Sequence, residues 1–215
     1  MSYRAVAIDG PAASGKSSVA RRLAEDWGLI LVNSGAMYRA VTWEVLKRGI
    51  DPNDGEAVTR LLGEVDWGCD LSEGQTVMSV DGREPTMAEL KSDAVNGAVS
   101  MVAAIPEVRS LLVAKQREFL ELGDLVMEGR DIGSVVFPDT PFKVFVTASE
   151  KVRGLRRAAE GAGEAVAERD KRDSERKTSP LVVADGAVEI DSSDLTLEGV
   201  LEAVKESLVE KGWER

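Results

Sequence analysis

Short apolar runs rich in β-branched residues recur along the chain, each closed by a polar turn and followed by apolar positions at helical spacing. Ala5–Asp9 is the first such run, and residues 18–25 after it have the period of a helix. Residues 29–32 read as a second strand ending at Asn33-Ser34-Gly35. Residues 36–47 then read as a helix, with Met37, Ala40, Val41, Glu44 and Val45 at turn spacing. Residues 49–53 form a turn and 57–62 a short helix. Residues 65–67, residues 76–80 and the Asp81-Gly82-Arg83 turn read as a small antiparallel insertion. Residues 89–104 and Pro106–Glu121 predict two helices, Pro106 standing at an early helical position where its fixed φ is an asset. Strands follow at residues 125–127, closed by Glu128-Gly129-Arg130-Asp131, at 142–146, closed by Thr147-Ala148-Ser149, and at 187–191. Residues 196–210 make a closing amphipathic helix. The alternation predicts an α/β fold: a doubly wound parallel sheet with helices on both faces and right-handed crossovers. No internal repeat is visible.

In such a sheet the polar clusters fall at the carboxyl edge of the strands, where α/β folds place ligand groups, so Lys16, Ser34, Arg39, Arg130 and Asp131 converge on one cleft. The first cluster is also the most specific. Gly10-Pro11-Ala12-Ala13-Ser14-Gly15-Lys16-Ser17, with Ser18 after it, spells GxxxxGKS between a strand and a helix. Glycines let the backbone curl so that successive amides face phosphate oxygens, and the following helix offers its positive end to the same anion. Lys16 then reaches the β- and γ-phosphates of a nucleoside triphosphate, and the Ser17 hydroxyl is the expected protein ligand for Mg²⁺.

The bulk composition narrows the partners. A chain of 215 residues fits one compact domain with room for insertions. A net charge of −11 argues against a broad nucleic-acid surface. The absence of histidine removes imidazole bases, triads and metal sites. No apolar run approaches membrane length. The lone Cys69 and the lack of a leader before the first strand lead to the expectation of a reducing cytoplasm.

From 150 to 176 the chain becomes strongly charged and carries Arg153, Arg156, Arg157, Arg169, Arg172 and Arg176. Helical spacing puts Arg169, Arg172 and Arg176 on one face, with Asp173 interleaved. Residues 160–168 have few anchoring apolar groups, so the segment reads as a mobile arm. Guanidiniums bind phosphate oxygens as forks and neutralise a phosphoryl group in transfer, and an arm that closes also excludes water from the donor. A surplus of arginines without histidine favours an acceptor that is itself a phosphate, already mostly dianionic near neutrality with a second pKa of about 6. Asp131 keeps an alcohol acceptor open, since it offers a base.

The blocks IDGPAASGKS, NSGAMYRA, NGAVSMVAAIPEVR, EGRDIGSVVFPD, KVFVTAS, RDKRDSER and SPL, in that order, closely resemble bacterial cytidylate kinases, which are P-loop nucleoside monophosphate kinases. The resemblance covers about residues 5–208. It implies transfer of the γ-phosphoryl group of ATP to CMP or dCMP with Mg²⁺. Gly10 to Ser18, Arg153 and Arg157 would bind ATP. Ser34, Arg39, Arg130 and Arg176 would hold the acceptor nucleotide. Ser100, Arg109 and Asp131 would read the cytosine, and Arg169 and Asp173 the ribose. Lys16, Arg130, Asp131, Arg169 and Arg172 would serve the transfer itself. The resemblance further implies one domain with a core of about 1–35, 105–150 and 180–215. An acceptor region of about 36–104 would include a small sheet at 64–85, and the lid would span about 151–176.

Departures from the family are Asn33 and Glu128, where aspartates are usual, Ser34 where threonine is common, and a short stretch between Arg157 and Arg169. They bear on affinity, 2′-hydroxyl discrimination and lid timing. A kinase for UMP or a small alcohol and a nucleotide-switch module stand as alternatives, although no NKxD guanine-reading motif is present. A silent relative is opposed by the intact Lys16, Ser17, Arg130 and Arg172. The expected partners are ATP and CMP or dCMP, with no nucleic-acid polymer and no membrane. A monomer is the default, since no oligomerisation pattern stands out.

Overall fold

The computed structural model of the protein describes residues 3–159, Asp173 and residues 180–214. The elements run β1 (Ala5–Asp9), α1 (Lys16–Trp27), β2 (Ile30–Asn33), α2 (Ser34–Lys47), α3 (Gly55–Glu64), β3 (Trp67–Ser72), β4 (Gln75–Val80), α4 (Met87–Leu90), α5 (Asp93–Val102), α6 (Pro106–Glu118), β5 (Leu125–Gly129), β6 (Lys143–Thr147), α7 (Glu150–Ala159), β7 (Val188–Asp191) and α8 (Leu197–Glu210). One seven-stranded sheet has the order β3-β4-β2-β5-β1-β6-β7. Its centre is parallel, with β1 flanked by β5 and β6. β1 and β5 are buried at every position, as strands covered on both faces must be.

Side chains alternate between the two faces. Ala5, Ala7, Val32, Leu125 and Met127 enter a core built with Val41, Val58, Val99, Val108 and Leu112 on the α2, α3, α5 and α6 side. Val6, Ile8, Leu31 and Val126 enter a second core with Val19, Leu23, Val204 and Leu208 of α1 and α8. Burying each such large side chain contributes about 1.5–3 kcal/mol, so both faces stabilise the sheet whose edge carries the site. Trp213 closes the second core, stacked on Trp27 and edge-on to Phe142.

Four local features differ from the sequence expectation. The antiparallel insertion is no separate small sheet: its hairpin turns at Glu73-Gly74, and β4 joins the parallel sheet beside β2 through the Leu31–Gln75 pair. The helix expected over 89–104 is two, because the Ser92 side chain accepts from Val95 N and starts α5 afresh after α4. Residues 132–136 form a π-helical turn with no periodic signal in the sequence. α2 begins two residues earlier than expected, at Ser34, because Asn33 caps it by accepting from Ala36 N at 2.9 Å. Among the described residues no single helix is long and apolar enough to cross a membrane.

Candidate active site

At the carboxyl edge of the central strands lies a cleft of about 610 Å³. Its floor begins where β1 turns into the phosphate loop. Gly10 has φ +154°, and a Cβ there would sit 2.0 Å from the Val146 carbonyl oxygen, so only glycine lets the loop leave β1 against β6. Ala13 at φ +58° and Gly15 at φ +92° complete the curl that starts α1. Lys16 is buried and its Nζ donates to Pro11 O at 3.0 Å across the loop. The Ser17 hydroxyl donates to Glu128 Oε1 at 2.9 Å, which holds it facing the cleft from the end of β5. Ala12, Ala13, Gly15 and Ser18 also line the cleft, whereas Gly10, Pro11 and Ser14 support it from behind.

The opposite end is built from side chains. Ser34 Oγ donates to Glu128 O at 2.7 Å, a contact that Gly129 permits, since a Cβ on Gly129 would lie 2.6 Å from that hydroxyl. Arg39 is anchored by Gly35 O at 3.0 Å, and burial, with neighbouring Arg130, draws its guanidinium below the usual arginine range. Its Nε has no hydrogen-bond partner among the described residues. Arg130 donates through Nε to Asp173 at 2.8 Å. Arg109, on α6, pairs with Asp131 at the end of β5, donates to Ala103 O at 3.1 Å and stands 5.4 Å from the Tyr38 ring centroid. Arg109, Asp131 and Ser100 of α5 are all buried and border the same end of the cleft.

The backbone just after Asp131 is held by a residue with no place in the motif reading. Asp9, the last residue of β1, accepts from Ile132 N at 2.9 Å with one carboxylate oxygen and from Gly133 N at 2.7 Å with the other. It thereby clasps the first turn of the π-helix that follows Asp131. Burial pushes the Asp9 carboxyl up to about 6, although both amides favour its charged form.

Thus Lys16, Ser17, Ser34, Arg39, Ser100, Arg109, Arg130, Asp131, Arg157 and Asp173 line one cleft. Arg153 does not line it. Its guanidinium is buried and turned to the backbone, donating to Ala148 O at 2.9 Å and Ala12 O at 3.3 Å, so it braces the loop from outside. Arg169, Arg172 and Arg176 lie outside the described residues. Sequence reasoning missed Asp9, Tyr38, Met87, Lys91 and Asn96. Asn96 stands one turn before Ser100 on α5, and Tyr38 stands next to Arg39 in a block already singled out, so spacing offered a signal for both. Met87 and Lys91 reach the rim because α4 is a separate turn. Its capping box joins Thr86 and Glu89, whose carboxyl the Thr86 amide and Arg83 hold down at about 2.

The family model for cytidylate kinase matches residues 6–210. A cytidylate kinase of Streptomyces avermitilis is 41% identical over 96% of this chain and 93% of its own length. One from Caldanaerobacter subterraneus subsp. tengcongensis is 43% identical over 94% and 93%. A bifunctional pantoate ligase/cytidylate kinase of a Synechococcus species is 46% identical over 94% of this chain, which spans 44% of that longer protein. With the phosphate loop at one end of the cleft and Ser100, Arg109 and Asp131 at the other, these matches give the conclusion that the chain belongs to the cytidylate kinase family.

Proposed function

We propose that the protein transfers the γ-phosphoryl group of ATP to CMP or dCMP, giving ADP and CDP or dCDP. The observation that carries the reading is the single cleft with a phosphate loop at one end and a buried Arg109–Asp131 pair beside Ser100 at the other. Ser34, Arg39 and Arg130 line the same cleft and would supply donors to an acceptor phosphate, whose negative charge would relieve the crowding of Arg39 and Arg130. Asp131 suits cytosine because a carboxylate accepts from the exocyclic amine. Uracil presents a carbonyl there, an acceptor against an acceptor.

Among the described residues no cluster of three acidic or sulfur ligands forms a metal cage. The oxygens of Ser17 and Glu128, 2.9 Å apart, fit Mg²⁺, which binds substrate phosphates and few protein oxygens: Ser17 would supply its hydroxyl, with Glu128 as the carboxylate behind it. The ion would neutralise charge on the transferring group. Lys16 and Arg130 share that task from the protein side, Arg157 and Arg172 are assigned to closing the cleft against water, Arg176 to the acceptor phosphate and Arg169 to the ribose. The reading places the chain in the cytoplasm, acting as a monomer on nucleotides.

ADP formation with Mg²⁺-ATP and a panel of CMP, dCMP, UMP, AMP, GMP, dTMP and shikimate tests this. Turnover dominated by CMP and dCMP is the expected result. Comparable turnover of UMP overturns the base reading, and turnover of shikimate alone overturns the nucleotide acceptor.

A further inference from the structure

A trans peptide is planar, with its C=O and N–H pointing in opposite directions. Wherever a loop must aim an N–H inward at phosphate, the carbonyl of the same peptide therefore points outward, and needs a donor there if it is buried. In this protein four successive carbonyls of the phosphate loop are each taken. Lys16 Nζ donates to Pro11 O at 3.0 Å. Arg153 Nη1 donates to Ala12 O and Arg156 Nη1 to Ala13 O, both at 3.3 Å. Ser192 Oγ donates to Ser14 O at 2.9 Å.

The last two donors are locked together. Arg156 gives Nη1 to Ser192 Oγ at 3.0 Å and Nη2 to Ser192 O at 2.9 Å, a fork over one residue. Ser192 is buried, and its own amide donates to Thr147 O at 2.8 Å, which fastens it to the end of β6 just after β7 closes. Arg156 also lies close under the curl, 3.7 Å from where a Cβ of Gly15 would be. Neither residue lines the cleft.

We propose that Ser192 and Arg156 are positioning residues for the triphosphate donor, acting through the phosphate loop and not through contact with the nucleotide. By holding the Ala13 and Ser14 carbonyls outward they fix the planes of the Ser14 and Gly15 amides, and each hydrogen bond to a carbonyl makes the N–H of its peptide a stronger donor. The pin belongs to β7 and to the helix that opens the arm, so the shape of the loop depends on two segments far from GxxxxGKS in sequence. This rests on the reading that the loop takes ATP.

The test is calorimetric ATP affinity without acceptor, followed by KM for ATP and for CMP, in wild type, Ser192→Ala, Ser192→Thr and Arg156→Gln. Loss of one hydrogen bond of ordinary strength to the loop predicts ATP affinity weakened about fivefold in Ser192→Ala and Arg156→Gln. The KM for CMP should stay within about twofold. Ser192→Thr, which keeps the hydroxyl, should restore ATP binding. Unchanged ATP affinity in both variants, or equal loss toward ATP and CMP, overturns the proposal. Arg156→Gln carries the test alone if Ser192→Ala does not fold. A wild type that binds ATP but leaves CMP unphosphorylated refutes the acceptor reading, while the affinity series still decides the pin.

Discussion

The two ends of the cleft are built on opposite plans. The donor end is backbone: a contiguous stretch from Gly10 to Ser17 offers amides, a helix start and two side chains, with Lys16 bonded across it to Pro11 O and the next three carbonyls pinned by Arg153, Arg156 and Ser192. The acceptor end is side chain: Ser100, Arg109 and Asp131 come from α5, α6 and the end of β5, and a buried ion pair joins two of them. A backbone site tolerates changes around it provided the loop keeps its curl. A buried charge pair depends on both partners, because removing one leaves the other in a low-dielectric interior without compensation.

The largest break in that comparison is expected at Lys16. In Lys16→Ala, ADP formation should fall by about 10²–10³-fold or more, as when a preorganised charge stabiliser is lost, with the melting temperature nearly unchanged. Near-normal turnover would show that the loop does not serve the transfer. At the acceptor end the penalty should appear in stability as well. Asp131→Ala strands the Arg109 guanidinium and is expected to lower unfolding free energy by about 3–5 kcal/mol in urea titration. A loss under about 1 kcal/mol would mean that water reaches Arg109 and the site is less buried than described.

Asp9 sits where the two plans meet, one residue before the loop and beneath Asp131, and its pH dependence sharpens the contrast. Its carboxyl is raised from 3.8 to about 6, so the folded protein holds this proton more tightly than the unfolded chain. The group's contribution is therefore fully present below about pH 4 and is lost as pH rises through 6, amounting to about 3 kcal/mol over the whole window. Roughly half of that falls above pH 5. Unfolding of wild type and Asp9→Asn, compared between pH 5 and 7.5, should show the difference shifting against wild type as pH rises. A pH-independent difference would place the carboxyl in water. Glu89, half-buried and held down at about 2, moves the other way: its contribution is present above the ordinary glutamate range and lost as pH falls toward 2.

The smallest effect is one of selection. Arg109→Ala should weaken CMP by about tenfold to thirtyfold while ATP changes little, on top of a stability loss like that of Asp131→Ala, since it strands the buried Asp131 carboxylate. A specific loss of ATP affinity would put Arg109 on the wrong ligand.

The sequence by itself determined the alternation of strands and helices, since short apolar runs bounded by polar turns, set against a 3.6-residue period, are a local property, and β1 and β5 are buried along their whole length. It also determined the donor end, because GxxxxGKS needs only neighbours in the chain. Tertiary structure decided the rest. The hairpin of β3 and β4 joins the main sheet through one pair beside β2, a choice of partner that no periodicity encodes. Arg153 donates to the Ala12 and Ala148 carbonyls, contacts that its place in a charged segment of the chain did not announce. Asp9 and Ser192 were invisible in the chain, since each acts on backbone groups more than a hundred residues away. The physical reason is common to all three: a hydrogen bond to a distant main chain leaves no spacing, composition or period behind, and exists only once the sheet has brought the strand ends together.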